Sequence, residues 1–351
     1  MLDKEYKVVK ALENNDFQRE TLKEALLFRG LCQEALFALA RQRRDEAFPS
    51  REVEVRSVIE ISNVCQQGCN FCNMGPGSTR KRYVISLDET LHLTDHIYSQ
   101  GRRVLMLQSG ELRTQAFVNH VARCSTEIKK RYPDMELILC MGNLSSEHYQ
   151  KLKDTGAERY LIKFETSKAS LYESLKPRDT LNQRLACLEN LLEIGFKVGS
   201  GNMVGLPGQN EEDIVDDLLL LNQYPLSMVS CTVFIPGEDS RLRDQPMGDG
   251  DLALNMMAIM RIMFPDRLIP TTSALERAKK DGQFLGLMAG GNTVTIHDGT
   301  PPALKELFPI YSVLRFAPTT DHMRRITHRA GLKFSKSPLA TIAPKTAPSL
   351  A

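Results

Sequence analysis

Residues 55–72 run Val55-Arg-Ser-Val-Ile-Glu-Ile-Ser62-Asn63-Val-Cys65-Gln-Gln-Gly-Cys69-Asn-Phe-Cys72. The first eight are rich in valine and isoleucine and read as a strand covered on both faces. The next ten end that strand in a loop with three cysteines inside eight residues, spaced C-x3-C-x2-C. In parallel sheets the C-terminal ends of strands are where functional side chains collect.

The same rhythm continues outward from this stretch. Short Val/Ile/Leu-rich runs at 103–108, 136–141, 159–165, 197–201, 228–234, 267–271 and 293–297 alternate with helical patterns of 10 to 18 residues. Ser86-Leu-Asp-Glu89 and Thr180-Leu-Asn-Gln183 have the form of capping boxes. Gly101, Gly156 and Gly195 stand where C′ glycines close helices before the next strand. Eight strand–helix units predict an α/β fold, a (β/α)8 barrel over residues 51–332, with a doubly wound open sheet as the alternative. Residues 1–50 read as an N-terminal helical extension, in which Thr21-Leu-Lys-Glu24 also resembles a capping box. Residues 333–351, rich in Pro, Ser, Ala and Lys, read as a flexible tail.

The chain has 351 residues, with 45 basic against 43 acidic side chains and a net charge of +2. That balance offers no global attraction for nucleic acid or an anionic membrane. No apolar run approaches the ~18 residues a membrane span needs. The charged start lacks the apolar core of a signal peptide, and a cytoplasmic, reducing location is expected. Eight cysteines must then act without disulfides. The five scattered ones, at 32, 124, 140, 187 and 231, read as small core residues.

The cluster needs another account. Structural zinc wants four closed ligands, and no second C-x2-C exists here. A redox pair needs only two thiols. An iron–sulfur cluster held by three thiolates leaves one iron without a protein ligand, able to bind a small chelating molecule. Gly68 and Gly75 ease a tight loop, and Phe71 can shield one face.

This C-x3-C-x2-C after the first strand of a (β/α)8 layout resembles the radical S-adenosylmethionine (SAM) enzymes. The resemblance implies a [4Fe–4S] cluster on Cys65, Cys69 and Cys72, whose open iron chelates SAM. It also implies reductive cleavage to a 5′-deoxyadenosyl radical. Gln108-Ser109-Gly110-Glu111 then supplies the glycine–glutamate pair that holds the SAM ammonium. Glu165 meets its amine and ribose side, and Arg184 offers a charge-assisted bond to its carboxylate. The stretch from Gly199 to Gln209, with Gly201, Met203 and Gly205, lets the backbone approach the adenine.

Longer stretches are similar to the group formed by biotin synthase, 3-methylornithine synthase and the [FeFe]-hydrogenase maturase HydE, and most similar to HydE. They include VRSVIEISNVC, VLMLQSGE, ERYLIKFETS, VGSGNMVGLPGQ, VFIPGEDS and IPTTSAL. The cysteines and arginine that hold the second cluster of biotin synthase are missing, with Gly199 at one such place. The chain also departs from the HydE pattern. Lys163-Phe164 stands where Arg-His is common, and the segment PPALKELF that follows Thr300 lacks the tyrosines usual there. These changes are expected around the substrate cavity.

Candidate substrate contacts are Arg159, Lys163, Thr271 and Thr272, with His297 as a further cavity candidate. Met256, Met257, Met260 and Met263 read as core, and His92, His96 and His120 as helix residues. The resemblance implies a HydE-type maturase acting on a small-molecule or organometallic substrate. An external electron donor of flavodoxin or ferredoxin type and other hydrogenase maturases are the implied partners. A mutase, a sulfur-inserting enzyme and a non-catalytic iron–sulfur carrier are the alternatives. A carrier has no need of Glu111, Glu165 and Arg184.

Overall fold

The computed structural model describes residues 3–305, 307–308 and 318–341. Eight strands form the wall: β1 (Glu52–Ser62), β2 (Val104–Ser109), β3 (Glu136–Cys140), β4 (Arg159–Leu161), β5 (Lys197–Val204), β6 (Met228–Val233), β7 (Pro270–Thr271) and β8 (Thr293–Ile296). They pair in parallel in the order β6-β5-β4-β3-β2-β1-β8-β7. The ring closes at one bridge, Met228 to Leu268, where Val229 N–H donates to the Leu268 carbonyl at 3.0 Å. The expected barrel is therefore present, with β6 and β7 as its weakest seam.

Local chemistry sets the helix limits. Ser86, Thr114, Ser145, Thr180 and Asn210 each accept a backbone N–H from the first turn of the helix they precede. Gly101, Gly156 and Gly195 have φ of +82°, +90° and +89°, as C′ residues should. The predicted box at Thr21 is not used. Its helix already starts at Arg19, with Gln18 as the cap and no side-chain bond, because Leu22 N–H pairs back to the Gln18 carbonyl.

The N-terminal helices lie on the barrel. Leu36, Phe37 and Ala40 share the main core with Met256, Met257 and Met260 of the helix Gly250–Met263, all of them buried. Asn255 ties the turn before the third helix by donating to the Leu26 and Phe28 carbonyls, both at 2.8 Å. The methionine stripe is thus core, as its spacing predicts. Among the described residues no helix is long and apolar enough to cross a membrane.

The boundary predicted at 332/333 falls inside an ordered region. Strand β9 (Lys333–Phe334) pairs in parallel with Glu52 and Val53 at the start of β1. Beyond it, Leu339 N–H donates to Glu54 Oε2 at 2.9 Å, and its side chain packs with Phe48, Met228 and Leu268. The segment covers the N-terminal end of the barrel, and this burial orders a stretch whose composition reads as loose. Residues 342–351 lie outside the described residues.

Candidate active site

The C-terminal ends of the strands surround a cavity of about 370 Å³. Cys65, Cys69 and Cys72 all line it and are free, partly exposed thiols. Their loop is held from several sides. Asn63 Nδ2 donates to the Lys81 and Leu307 carbonyls at 2.8 and 2.7 Å. Arg82 reaches the carbonyls of Asn63, Met74 and Gly75 at 2.6–2.9 Å. Gln66 N–H pairs with the Glu111 carbonyl at 2.8 Å. A Cβ on Gly110 would collide with the Val64 carbonyl and with Cys65, so glycine here lets the cysteine loop rest on the end of β2. Burial pushes all three thiols up, Cys69 and Cys72 furthest, a cost that exchange of the proton for iron removes.

Beside the loop stands a buried acid–base cluster. Glu111 accepts from Gln67 Nε2 at 2.7 Å and from Arg113 Nε at 2.9 Å. Gly142, at φ +76°, lies flush against that carboxylate, and any side chain there would displace it. Arg184 donates from Nε to the Tyr172 hydroxyl at 3.0 Å. Its Nη2 stands 3.5 Å from Glu111 and 3.4 Å from Asp179. Burial opposes the Arg184 charge, and Tyr172 and Glu111 more than offset this.

Glu165 lies across the cavity in the left-handed region, φ +65°, a conformation that costs a non-glycine residue roughly 1–2 kcal/mol. Its N–H pairs with the Gly201 carbonyl and its carbonyl with Met203 N–H. Lys163 Nζ is 3.3 Å from its Oε2, yet that buried oxygen has no hydrogen bond.

Comparison with known proteins places this arrangement. The family model "Radical SAM superfamily" matches residues 59–221. The [FeFe] hydrogenase maturase subunit HydE of Thermotoga maritima is 36% identical over 307 residues, covering 87% of this chain and 86% of the relative. The chain belongs to the radical SAM superfamily. Within it, the chain falls in the group of HydE, 3-methylornithine synthase and biotin synthase. The 3-methylornithine synthase of Methanosarcina barkeri is 26% identical, over 82% of this chain and 81% of the relative. A crystal structure of methylornithine synthase shares the fold, with a TM-score of 0.81 at 22% identity, covering 93% of this chain and 97% of that one.

Radical SAM membership implies a [4Fe–4S] cluster and SAM, and the residues present fit both. For the cluster, Cys65, Cys69 and Cys72 bring three free thiols from one loop into one cavity, the donor set that a cube with one open iron would need. For SAM, Glu165, whose Oε2 meets Lys163 but has no hydrogen bond, and Arg184 offer a carboxylate and a guanidinium in one cavity. Gln108, Ser109, Gly110 and Met203 line it too.

Several expected placements are not met. Gly201 and Gly205 do not line the cavity. A Cβ on Gly201 would strike the Ser230 carbonyl, and one on Gly205 would strike Gly248, so these glycines serve strand and loop packing. Phe164 is buried in the main core and turned from the cavity. Arg159 is also elsewhere. It opens β4 at the opposite end of the barrel, donating to Glu54 at 2.7 and 3.0 Å and to Glu136 at 2.8 and 3.1 Å. Lys163, Thr271 and Thr272 do line the cavity. The Thr271 hydroxyl donates to the Gln283 carbonyl at 2.9 Å, whereas the buried Thr272 Oγ1 has no partner.

His297 lines the cavity as well, with Nδ1 3.3 Å from Glu60 Oε1. Gln67, Lys176 and Cys140 are further lining residues that no motif marked. Gln67 sits inside the cysteine spacing and was findable there. Cys140 is findable only as the residue that ends β3.

Proposed function

We propose that this radical SAM enzyme is a HydE-type maturase that works in assembly of the diiron subcluster of [FeFe]-hydrogenase. The likeness to the Thermotoga maritima HydE over 87% of the chain carries the reading. The cavity supports it. Besides Cys65, Cys69 and Cys72, Cys140 is the one other cysteine among the described lining residues. That leaves no ligand set for a second, sacrificial cluster, and sulfur insertion of the biotin synthase kind is disfavoured.

Cys65, Cys69 and Cys72 would hold the cluster, which when bound and reduced would supply the electron for reductive cleavage of SAM. Glu111 and the Gly110 backbone receive the SAM ammonium, Arg184 takes its carboxylate, and Glu165 takes the amine and ribose side. Gln108, Ser109 and Met203 complete this wall. Lys163 and Thr272 face the substrate, a small or organometallic molecule, from the other. An external flavodoxin- or ferredoxin-type donor delivers the electron. The other maturases are the partners, and the free cysteines suit the cytoplasm.

Anaerobic reconstitution with SAM and dithionite should release methionine and 5′-deoxyadenosine. Deleting the gene should leave an [FeFe]-hydrogenase inactive, and the wild-type protein should restore it. SAM cleavage in vitro with normal hydrogenase activity in the deletion strain would assign the enzyme to another small molecule.

A further inference from the structure

The helix Glu211–Asn222 follows the loop that ends β5 and carries Asp217 on its inner side. Asp217 is fully buried, and no cation pairs with it among the described residues. Its oxygens accept from Ser167 N–H at 2.6 Å, Ser167 Oγ at 2.7 Å, Asn202 Nδ2 at 2.6 Å and Gln209 Nε2 at 3.4 Å. A buried carboxylate without a cation is costly and persists where its acceptor bonds are needed.

The groups it grips belong to both segments of one cavity wall. Ser167 lies two residues beyond Glu165. Asn202 is the β5 residue bridged to Glu165. Gln209 folds the loop after β5: its Oε1 accepts from Gly205 and Leu206 N–H at 2.8 and 3.2 Å, and its Nε2 donates to the Met203 carbonyl at 3.0 Å.

We infer that Asp217 is a positioning residue for the SAM side of the cavity, clamping the segment that carries Glu165 to the loop that follows Met203. The inference rests on the reading of Glu165 as a SAM contact. Glu165 holds an unfavourable φ, and its two flanks are fixed by β5 on one side and by the Asp217 grip on Ser167 on the other. Releasing Ser167 lets the backbone relax and carries the Glu165 carboxylate away from its place.

Protonation acts on the same clamp. Burial pushes the Asp217 carboxyl up to about 7, the bonds from Ser167 and Asn202 offsetting only part of the loss of water. Of the four donors only the Ser167 hydroxyl can turn to accept, so a proton on Asp217 either displaces the amides of Asn202 and Gln209 or reverses the Ser167 Oγ bond. The charged groups nearby are Asp213 one turn earlier, paired with Lys168 at 3.1 Å, and Glu165 with Lys163. They are common to the wild type and to Asp217 variants.

The test uses the full reconstituted protein with SAM and dithionite, reading 5′-deoxyadenosine formation, iron content and pH. Asp217→Ala should keep its cluster and raise the KM for SAM about tenfold, with a smaller change in kcat. Asp217→Asn, isosteric with the protonated acid, turns a donor on one side of the same clamp and should hold the KM near the low-pH value of the wild type. The wild-type KM should rise as pH falls below about 7, and that of Asp217→Asn should stay flat. An unchanged KM in Asp217→Ala at wild-type iron content overturns the inference. So does a pH profile shared by the wild type and Asp217→Asn, which decides the matter alone if the alanine variant does not fold. A wild type that fails to cleave SAM removes the reading of the cavity itself, whereas a cleaving wild type matched by both variants removes only the clamp.

Discussion

At the N-terminal end of the barrel Arg159 stands between Glu54 and Glu136, and its four hydrogen bonds end on carboxylate oxygens at 2.7–3.1 Å. At the C-terminal end Arg184 is equally buried, yet meets Glu111 and Asp179 only at 3.5 and 3.4 Å. The first arginine is saturated. It joins Arg56 and the Leu339 N–H in neutralising Glu54 and stoppers the barrel. The second lines a cavity that also holds Glu165 Oε2 and Thr272 Oγ1, which are buried without hydrogen bonds. Burial and charge alone do not separate structure from function here. What differs between these two arginines is how completely each is bonded.

The largest effect that tests this contrast is at the mouth. Cys65→Ala, Cys69→Ala or Cys72→Ala should each abolish the cluster and all SAM cleavage, read by iron and sulfide analysis. Substituting Cys32, Cys124, Cys187 or Cys231 should leave about four irons per chain. A cluster that depends on one of these four would break the single-site reading.

Next comes the stopper. Arg159→Met leaves Glu54 and Glu136 buried with fewer partners and should cost about 3–5 kcal/mol in urea unfolding, with the KM for SAM unchanged. A shifted KM at wild-type stability would make this end functional.

The same end predicts a pH effect of similar size. Burial alone would raise Glu54, but Arg56 and Arg159 hold it down to about 2. Its contribution, roughly 3 kcal/mol, is present above the ordinary carboxylate pKa of about 4.5 and lost as pH falls towards 2. In acid unfolding Arg159→Met should show a much shallower loss over that window.

The smallest effect returns to the mouth. Arg184→Ala should leave the iron content intact and weaken SAM binding roughly ten- to hundredfold, about 1.5–3 kcal/mol. Unchanged affinity would put Arg184 with Arg159 among the purely structural cations.

Strand number, helix limits and the cysteine loop were legible because each is written locally, in apolar runs, caps, C′ glycines and ligand spacing. Arg159 was misplaced although its position held the answer: a residue that opens a parallel strand lies at the end away from the mouth. Gly201 and Gly205 were read as ligand-facing because glycine signals close approach without saying to what. Ser230 and Gly248, the groups approached, are 29 and 43 residues away. Asp217 left no trace, since an aspartate on an amphipathic helix looks solvated until Ser167, Asn202 and Gln209 are brought around it. The ordering of Lys333–Phe334 likewise depends on the exposed start of β1, which periodicity cannot see.

The seam between β6 and β7 bears on how the wall moves. Among the described residues backbone pairing there is confined to the Met228–Leu268 bridge, made by Val229 N–H to the Leu268 carbonyl and Leu268 N–H to the Ser227 carbonyl, and β7 begins with Pro270, which has no N–H. Val229 N–H points across the seam to Leu268, so by the alternation of a strand those of Cys231 and Val233 face the same way, with no ladder to meet. Every other junction in the ring is a run of paired peptides that must open together. Deuterium should therefore reach Cys231 and Val233 well before the amides of β1 and β2. The slack of this cylinder is lateral, like that of a cask with one stave left unglued.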